Sequence, residues 1–415
     1  MAGSDTRDSS VAAGAASGRG GVTEGRRSTA TQRRANIIRA LRQDLTLDDP
    51  ELSKASRFAE RLESEERVMV VNADIDGIVS AHMLAAVSPW RIGVLVDRRG
   101  VIRKHPSIAS VEDLIVGDRA FGVDVFSARF PGVSNHPVLF GAGPQVDATH
   151  NGEFASFDAQ VLAAVREHGD ICPSAWVGIS AAHKAHLATG MSYKYPLGSA
   201  QIMLALLETI ERNPRFFDRQ FLPYLVANCD GGLDSIRKYA WNVEPWWSAI
   251  AACVGPGSLS DALYRLATEQ RPGELGDVDR RLKWDEPDRS RYLTEAWNLV
   301  SASPAALRAI TGLLDDLSGW GDPYLGGAAN LDSWVQHTST TGVLRVDGLT
   351  KKSPEVVKAH LEGALSAVHM NISQFADRGV ALGWVLPEPD HEVEKVIGGE
   401  TLASMKPAGP SLADV

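Results

Sequence analysis

Cysteine is scarce in this 415-residue chain: Cys172, Cys229 and Cys253 are the only three. They are too few and too far apart for a disulfide framework or a Cys-based zinc site, so they read as small buried apolar residues. Long apolar runs are missing as well. Nothing approaches the ~18 consecutive apolar residues of a membrane span, and the opening stretch lacks the apolar core of a secretory signal. The expectation is a cytoplasmic protein that does not enter a membrane. Positive charge is in deficit, with 42 Lys and Arg against 52 Asp and Glu and a formal net charge of -10. That excludes a surface coated for duplex DNA, because gripping a phosphate backbone needs clustered cations. A small nucleotide or a short single strand held in one local groove stays compatible, above all if metal ions bring the positive charge.

What the chain does have is a core. Hydrophobic residues make up 44% and charged residues 23%, and the length suits two domains or one large domain with a smaller partner. Residues 1–35 are the exception. Gly, Ala, Ser, Thr and Arg dominate there, with too little apolar surface to fold, which predicts a disordered tail. Its arginines (Arg19, Arg26, Arg27, Arg33, Arg34) fit a solvated tail better than a nucleic-acid contact or a targeting peptide. Ile37, Ile38, Leu41, Leu45, Phe58 and Leu62 then predict two amphipathic helices.

The most informative stretch is Val68-Met-Val-Val-Asn72-Ala-Asp74-Ile-Asp76-Gly77-Ile-Val-Ser80-Ala-His82. A Val-rich run predicts a buried strand, and the spacing after Gly77 predicts a helix. If the short segment between them stays extended, Asp74 and Asp76 face the same side, with Gly77 allowing a sharp turn. Two carboxylates at the end of a strand repel each other unless a cation lies between them. Capping of the following helix is the plainer reading of the same two acids. Further strands are expected at Ile92 to Asp97 and Ala120 to Phe126, the latter carrying Asp124, with shorter candidates at Pro137 to Gly141 and Ala175 to Ile179. Helices are expected at Phe157 to Glu167 and Ser199 to Arg212. Strands alternating with helices predict an α/β fold with a mostly parallel sheet flanked by helices, and ligands bind beyond the carboxyl ends of such strands. Phe221 to Tyr239 reads as a helix stopping at Asp230-Gly231-Gly232. An acid at a helix C-terminus is disfavoured by the dipole, as a metal ligand in that place would be.

Asn-x-Asp-x-Asp-Gly-x-x-Ser-Ala after a Val-rich strand resembles the first motif of the DHH phosphoesterase superfamily, which includes RecJ-like exonucleases, nano-RNases, cyclic-dinucleotide phosphodiesterases and manganese pyrophosphatases. The resemblance implies a hydrolase acting on a phosphodiester through Mn2+ or Mg2+, in two ions, with a nucleotide or short single-stranded nucleic acid as partner. A homodimer is left open. Residue by residue, Asp74 and Asp76 match the first motif, Asp124 the second, where one carboxylate bridges both ions, and Asp230 the fourth. The third motif is divergent: Ser134-Asn135-His136-Pro137 keeps its last histidine, while Asp147 to His150 is the alternative register. Asn72 and Asn135 stand where stronger ligands are expected, which weakens at least one metal. His136 would ligate a metal or protonate the leaving group. His183 and His186 read as solvated. Ser199 would cap a helix whose N–H groups receive a phosphate, with Lys194 adding charge, although simple capping explains Ser199 as well.

Arg237 and Lys238 beside Tyr239 and Trp241 could stack bases, yet Trp241, Trp246 and Trp247 fit packing between domains better. The expected layout is a tail over 1–35, a DHH-like metal-binding domain over 36–250, a helical connector over 251–320, and a smaller C-terminal α/β domain over 321–415 that grips substrate. Its strands would be Thr341 to Asp347 and Gly379 to Leu386, with a helix from about Ser353 to Phe375 between them. Gly398-Gly399-Glu400 is a weak echo of the family's closing motif. The alternative function is a degenerate member that kept the fold as a scaffold or nucleic-acid-binding subunit and lost the chemistry. A phosphotransfer domain of the haloacid dehalogenase or response-regulator kind also begins with Asp after a strand, but its lysine has no place here.

Overall fold

The computed structural model describes residues 30–45, 47, 53–97, 99–140, 150–176, 195–215, 222–269, 291–293, 299–375 and 379–398. At its centre is β1 (Val68–Asn72), whose Met69, Val70 and Val71 are fully buried. Met69 and Val71 enter one core and Val70 another, as alternation along a strand demands. A strand apolar on both faces needs cover on both.

Around β1 lie β2 (Arg91–Val96), β3 (Val101–Lys104), β4 (Ala120–Val123), β5 (Gly132–Val133) and β6 (Val335–Thr338) in the order β5-β4-β1-β2-β3-β6. The first four strands of that order run parallel, while β3 and β6 join antiparallel. The α/β fold with a mostly parallel sheet flanked by helices is thus observed, the sheet being mixed at one edge. Pro137–Phe140 forms no strand among the described residues, and Ala175 sits in a single 3-10 turn, Pro173–Trp176. Residues 177–179 lie outside the described residues.

The two expected N-terminal helices are α1 (Ala30–Leu45) and α2 (Lys54–Ser64). The first begins ahead of the boundary expected at 35, while residues 1–29 lie outside the described residues. Next come α3 (Ile75–Val87), α4 (Val111–Val116), α5 (Asn151–His168) and α6 (Ser199–Thr209). Ser199 to Leu207 are all buried in α6, so that helix is covered on every side and runs through the core. Beyond it are α7 (Leu222–Asn228), α8 (Gly232–Val254), α9 (Leu259–Glu269) and α10 (Pro304–Ser318).

Leu263 of α9 and Leu307, Ile310, Leu313 and Leu314 of α10 belong to the same core as β1, so helices from the expected connector pack against the strand core. β6 then pairs with β3, Ile102 opposite His337, and carries the last part of the chain into the first sheet. A second, three-stranded sheet follows, β7 (Thr341–Arg345), β8 (His369–Phe375) and β9 (Gly379–Val385) in the order β7-β9-β8, with α11 (Pro354–Leu365) and α12 (His391–Ile397). Its core is shared with Phe140, Phe154 and Phe157 from before α6. The helix expected over 353–375 stops at Leu365, because Met370 and Ile372 alternate inward as strand residues. Among the described residues no helix is long and apolar enough to cross a membrane.

Candidate functional site

The turn from β1 into α3 separates the two first-motif acids. Asp74 is the N-cap of α3 and accepts the Gly77 N–H at 3.0 Å, so the capping reading holds for it. Asp76 caps a different helix. Its carboxylate crosses to α6 and accepts the N–H groups of Ser199 at 2.5 Å and Ala200 at 2.9 Å. Two glycines make room for this. A Cβ on Gly77 would lie 2.3 Å from the Asn72 carbonyl oxygen, and one on Gly198 would lie 2.5 Å from Asp76 Oδ1. Gly77 therefore serves close approach of α3 to the strand end, and not a glycine-only backbone angle.

Asp124 follows β4, and its Oδ1 accepts the Ser199 hydroxyl at 2.6 Å. Asn72 joins the two strand ends: its Nδ2 donates to Asp74 Oδ2 at 2.6 Å and to Asp124 Oδ2 at 2.9 Å. Ser199 Oγ also accepts the Asn135 N–H at 3.0 Å, and Asn135 Nδ2 donates to Asp230 Oδ2 at 3.2 Å and to the Leu197 carbonyl at 3.3 Å. Asp230 sits exposed in the turn between α7 and α8. Gln201 Nε2 supports that turn by donating to the carbonyls of Val226 at 2.8 Å and Cys229 at 3.3 Å. Asp124 at φ 55° and Asp230 at φ 51° are two of the four non-glycine residues with positive φ among the described residues. That conformation costs energy and persists only where neighbours impose it, often at functional sites.

The carboxylates feel one another. Burial holds the Asp76 carboxyl well above the ordinary carboxylate range, and the charges of Asp230 and Asp74 push it further, against the two α6 N–H donors. Asp124 is raised in the same way by burial, then by Asp74 and Asp76, against Ser199 Oγ and Asn72. The Cys229 thiol registers all four: burial raises it first, then Asp76, Asp74, Asp230 and Asp124. Four acids from three separate stretches of the chain thus share one region at the carboxyl ends of β1 and β4.

His136 is half-buried and directly follows Asn135, which places its backbone at the rim of this region. His150 is buried at the N-terminus of α5, on the core shared with α11. Lys194, His183 and His186 lie outside the described residues, as does the side chain of Arg237, whose backbone is in α8. Ser199 requires a correction. Gly198 is the N-cap of α6, Ser199 is buried, and the first two N–H groups of the helix are taken by Asp76, so they are not open to a phosphate. Trp246 and Trp247 are buried in the core, whereas Trp241 is 52% exposed. Sequence reasoning missed Gly198, Ala200 and Gln201. A glycine directly before a largely apolar helix was the one signal available, and it does not name the acid that uses the gap.

A metal fits this region in chemistry more than in arrangement. Carboxylate and amide oxygens are hard donors suited to Mg2+ or Mn2+, and repelling buried carboxylates favour a cation. Yet each oxygen of Asp74, Asp76 and Asp124 already accepts a protein donor. Among the described residues no three His, Cys, Asp or Glu side chains are grouped to hold a metal ion. No family model, curated protein or solved structure matches the chain.

Proposed function

We propose that this protein is a divalent-cation-dependent phosphoesterase of the DHH type, cleaving a phosphodiester in a short oligonucleotide, a single strand or a nucleotide messenger. One observation carries the reading: Asp74, Asp76, Asp124 and Asp230, from three separate stretches of the chain, act on one another at the carboxyl end of a mostly parallel sheet. Buried like charges are costly and cluster where chemistry needs them. A bound Mg2+ or Mn2+ supplies charge neutralisation at the phosphate and a more acidic water. The residues proposed to hold it are drawn from the four aspartates, with Asn72 beside them. Asp124, its carboxyl held above the ordinary range, is suited to take a proton from the attacking water. The water oxygen bonds to phosphorus, the P–O bond to the leaving group breaks, and His136 is the candidate donor of the leaving oxygen's proton. Lys194 and Arg237 remain proposals for holding the substrate, Ser199 does not.

The second reading, a scaffold that retained the fold without the chemistry, is favoured by the neutral donors that occupy the carboxylate oxygens. A Mn2+ titration of the full chain with a chromogenic phosphodiester and a short single-stranded oligonucleotide separates the two, with Asp124→Ala as control. Metal-dependent turnover lost in Asp124→Ala supports the enzyme. Turnover that survives that change overturns the site, and oligonucleotide binding without turnover favours the scaffold.

A further inference from the structure

We infer that Ser127 is a positioning residue for Asp124, and that through it the three-stranded sheet, which contributes none of the four acids, sets the geometry of the site. Its part in turnover rests on the phosphoesterase reading above, whereas the positioning of Asp124 does not. Asp124 holds a φ of 55°, a left-handed angle that costs a non-glycine residue energy and persists only where the surroundings impose it. On its N-terminal side β5 supplies the constraint: the Asp124 N–H donates to the Val133 carbonyl at 2.9 Å, and the Gly122 N–H to the Pro131 carbonyl at 2.8 Å. On its C-terminal side the next three residues all meet the second sheet. Val125 shares a core with Val368 and Val385. The Phe126 carbonyl accepts the Met370 N–H at 2.8 Å, and its side chain lies in the core of that sheet. Ser127 Oγ donates to the Ala367 carbonyl at 2.7 Å and accepts the Arg129 N–H at 3.2 Å.

β8 lies at one edge of its sheet, with β9 on one side of it. The backbone groups on the other side of such a strand need partners, and Met370 and Ile372 find theirs in the loops that follow β4 and β5. Met370 meets Phe126 as above, and the Ile372 carbonyl accepts the Val138 N–H at 3.4 Å, two residues past His136. Those two bonds are made by backbone and place no demand on residue type. The Ser127 bond does, because a buried hydroxyl gives one hydrogen and takes another, which alanine does neither of. Ser127 acts on Asp124 along three residues of chain: with the hydroxyl in place, the segment after the strained residue is pinned at both ends. Ser318 provides a matched comparison. It too is buried, and its Oγ donates to the Leu314 carbonyl at 2.6 Å and accepts the Trp320 N–H at 3.1 Å, but both partners belong to its own stretch of chain at the end of α10.

Hydrogen–deuterium exchange of the full-length chain without added metal, read peptide by peptide, tests this. Ser127→Ala should speed exchange over residues 122–127 by ~10-fold beyond any change in the rest of the chain, the scale of one buried hydrogen bond. Ser127→Thr, which keeps the hydroxyl, should restore the wild-type rate, and Ser318→Ala should leave residues 122–127 untouched. In the wild type under rising urea, residues 122–127 and 366–370 should open together as one unit, a measurement that stands if Ser127→Ala fails to fold. With a phosphodiester substrate, Ser127→Ala should lower kcat ~10-fold at unchanged KM, the mark of a displaced reacting group, with Ser318→Ala at the wild-type value. An equal rise of exchange in every segment makes Ser127 a structural residue only and overturns the inference. So does a rise confined to residues 366–370, or separate opening of the two segments in urea. A wild-type chain without turnover overturns the proposed function alone, and the exchange rates then decide the positioning.

Discussion

Asp76 and Asp170 are both buried, 3% and 2% exposed, and both accept backbone N–H groups, Asp170 from Gly132 at 2.5 Å. Burial raises both carboxyls well above the ordinary range. Their next neighbours are opposite in sign. Around Asp170 stand Lys54, Arg61 and Arg57, all from α2, and Lys54 also pairs with buried Asp44 at 2.8 Å. Around Asp76 stand Asp230 and Asp74. One chain therefore compensates one buried acid with its own cations and places other acids beside the second. The first arrangement is explicable as structure alone. The second carries a standing repulsion, which is the mark of a group kept for binding or chemistry.

The comparison breaks most visibly at Asp230. Asp230→Asn is isosteric and asparagine tolerates the positive φ of that turn. The expected outcome is a loss of metal-dependent turnover on the order of 10²–10³-fold, the scale of losing one electrostatic partner of a reacting group. The thermal midpoint of the metal-free protein should stay or rise, since a charge repelling Asp76 is gone. A lowered midpoint with turnover intact would make Asp230 structural and erase the contrast with Asp170.

Acid pH sharpens the contrast from another side. Asp76, Asp124 and Asp170 all have raised folded values, so as pH falls the native state takes up these protons before the unfolded chain does. These carboxyls gain stability on the way down toward their ordinary value near 3.8. His82 and His369 work in the opposite sense, because burial pulls each from 6.5 to about 4. Below pH 6.5 the unfolded chain protonates first, so stability falls until about pH 4, by roughly 3 kcal/mol for each histidine. Urea midpoints between pH 7 and 4 should slope less in a His82→Gln/His369→Gln variant than in the wild type. An unchanged slope would move the acid sensitivity to other groups.

Asp170→Ala should do the reverse of Asp230→Asn. It strips the Gly132 N–H of its acceptor and removes the carboxylate between three basic side chains, a cost of about 1–3 kcal/mol. Denaturation should register that loss while Mn2+ uptake and turnover stay at wild-type levels.

How far the sequence foresaw these two places differs for a physical reason. The β1 turn was legible because strand burial, Asp spacing and Gly77 fall within ten residues, and Asp124 and Asp230 because each ends a local element. Their mutual arrangement was not, since the link from Asp76 to Ser199 and Ala200 spans more than a hundred residues and uses backbone N–H groups that have no sequence signature. β6 escaped for the same reason. Val335 and Thr338 are ordinary residues, and only their pairing with Lys104 and Val101 makes them a strand of the main sheet. Asp170 carried no signal at all, because its partners on α2 look like the charged face of an amphipathic helix.

That helix supplies the smallest test. Ser53 is the N-cap of α2 and accepts the Ser56 N–H at 3.2 Å. α2 holds Lys54, Arg57 and Arg61, the three cations around Asp170. Loss of an N-cap costs about 1 kcal/mol, and fraying of this first turn would loosen Lys54 before the others. Ser53→Ala should therefore lower the unfolding free energy by that amount, and more in low salt, where the Lys54 pair with Asp44 is least screened. Mn2+ uptake should not respond, because the acids at the strand ends owe their positions to α6 and not to α2. A change in uptake would mean that the two buried-charge regions are coupled through β5, where Gly132 meets Asp170 and Val133 meets Asp124.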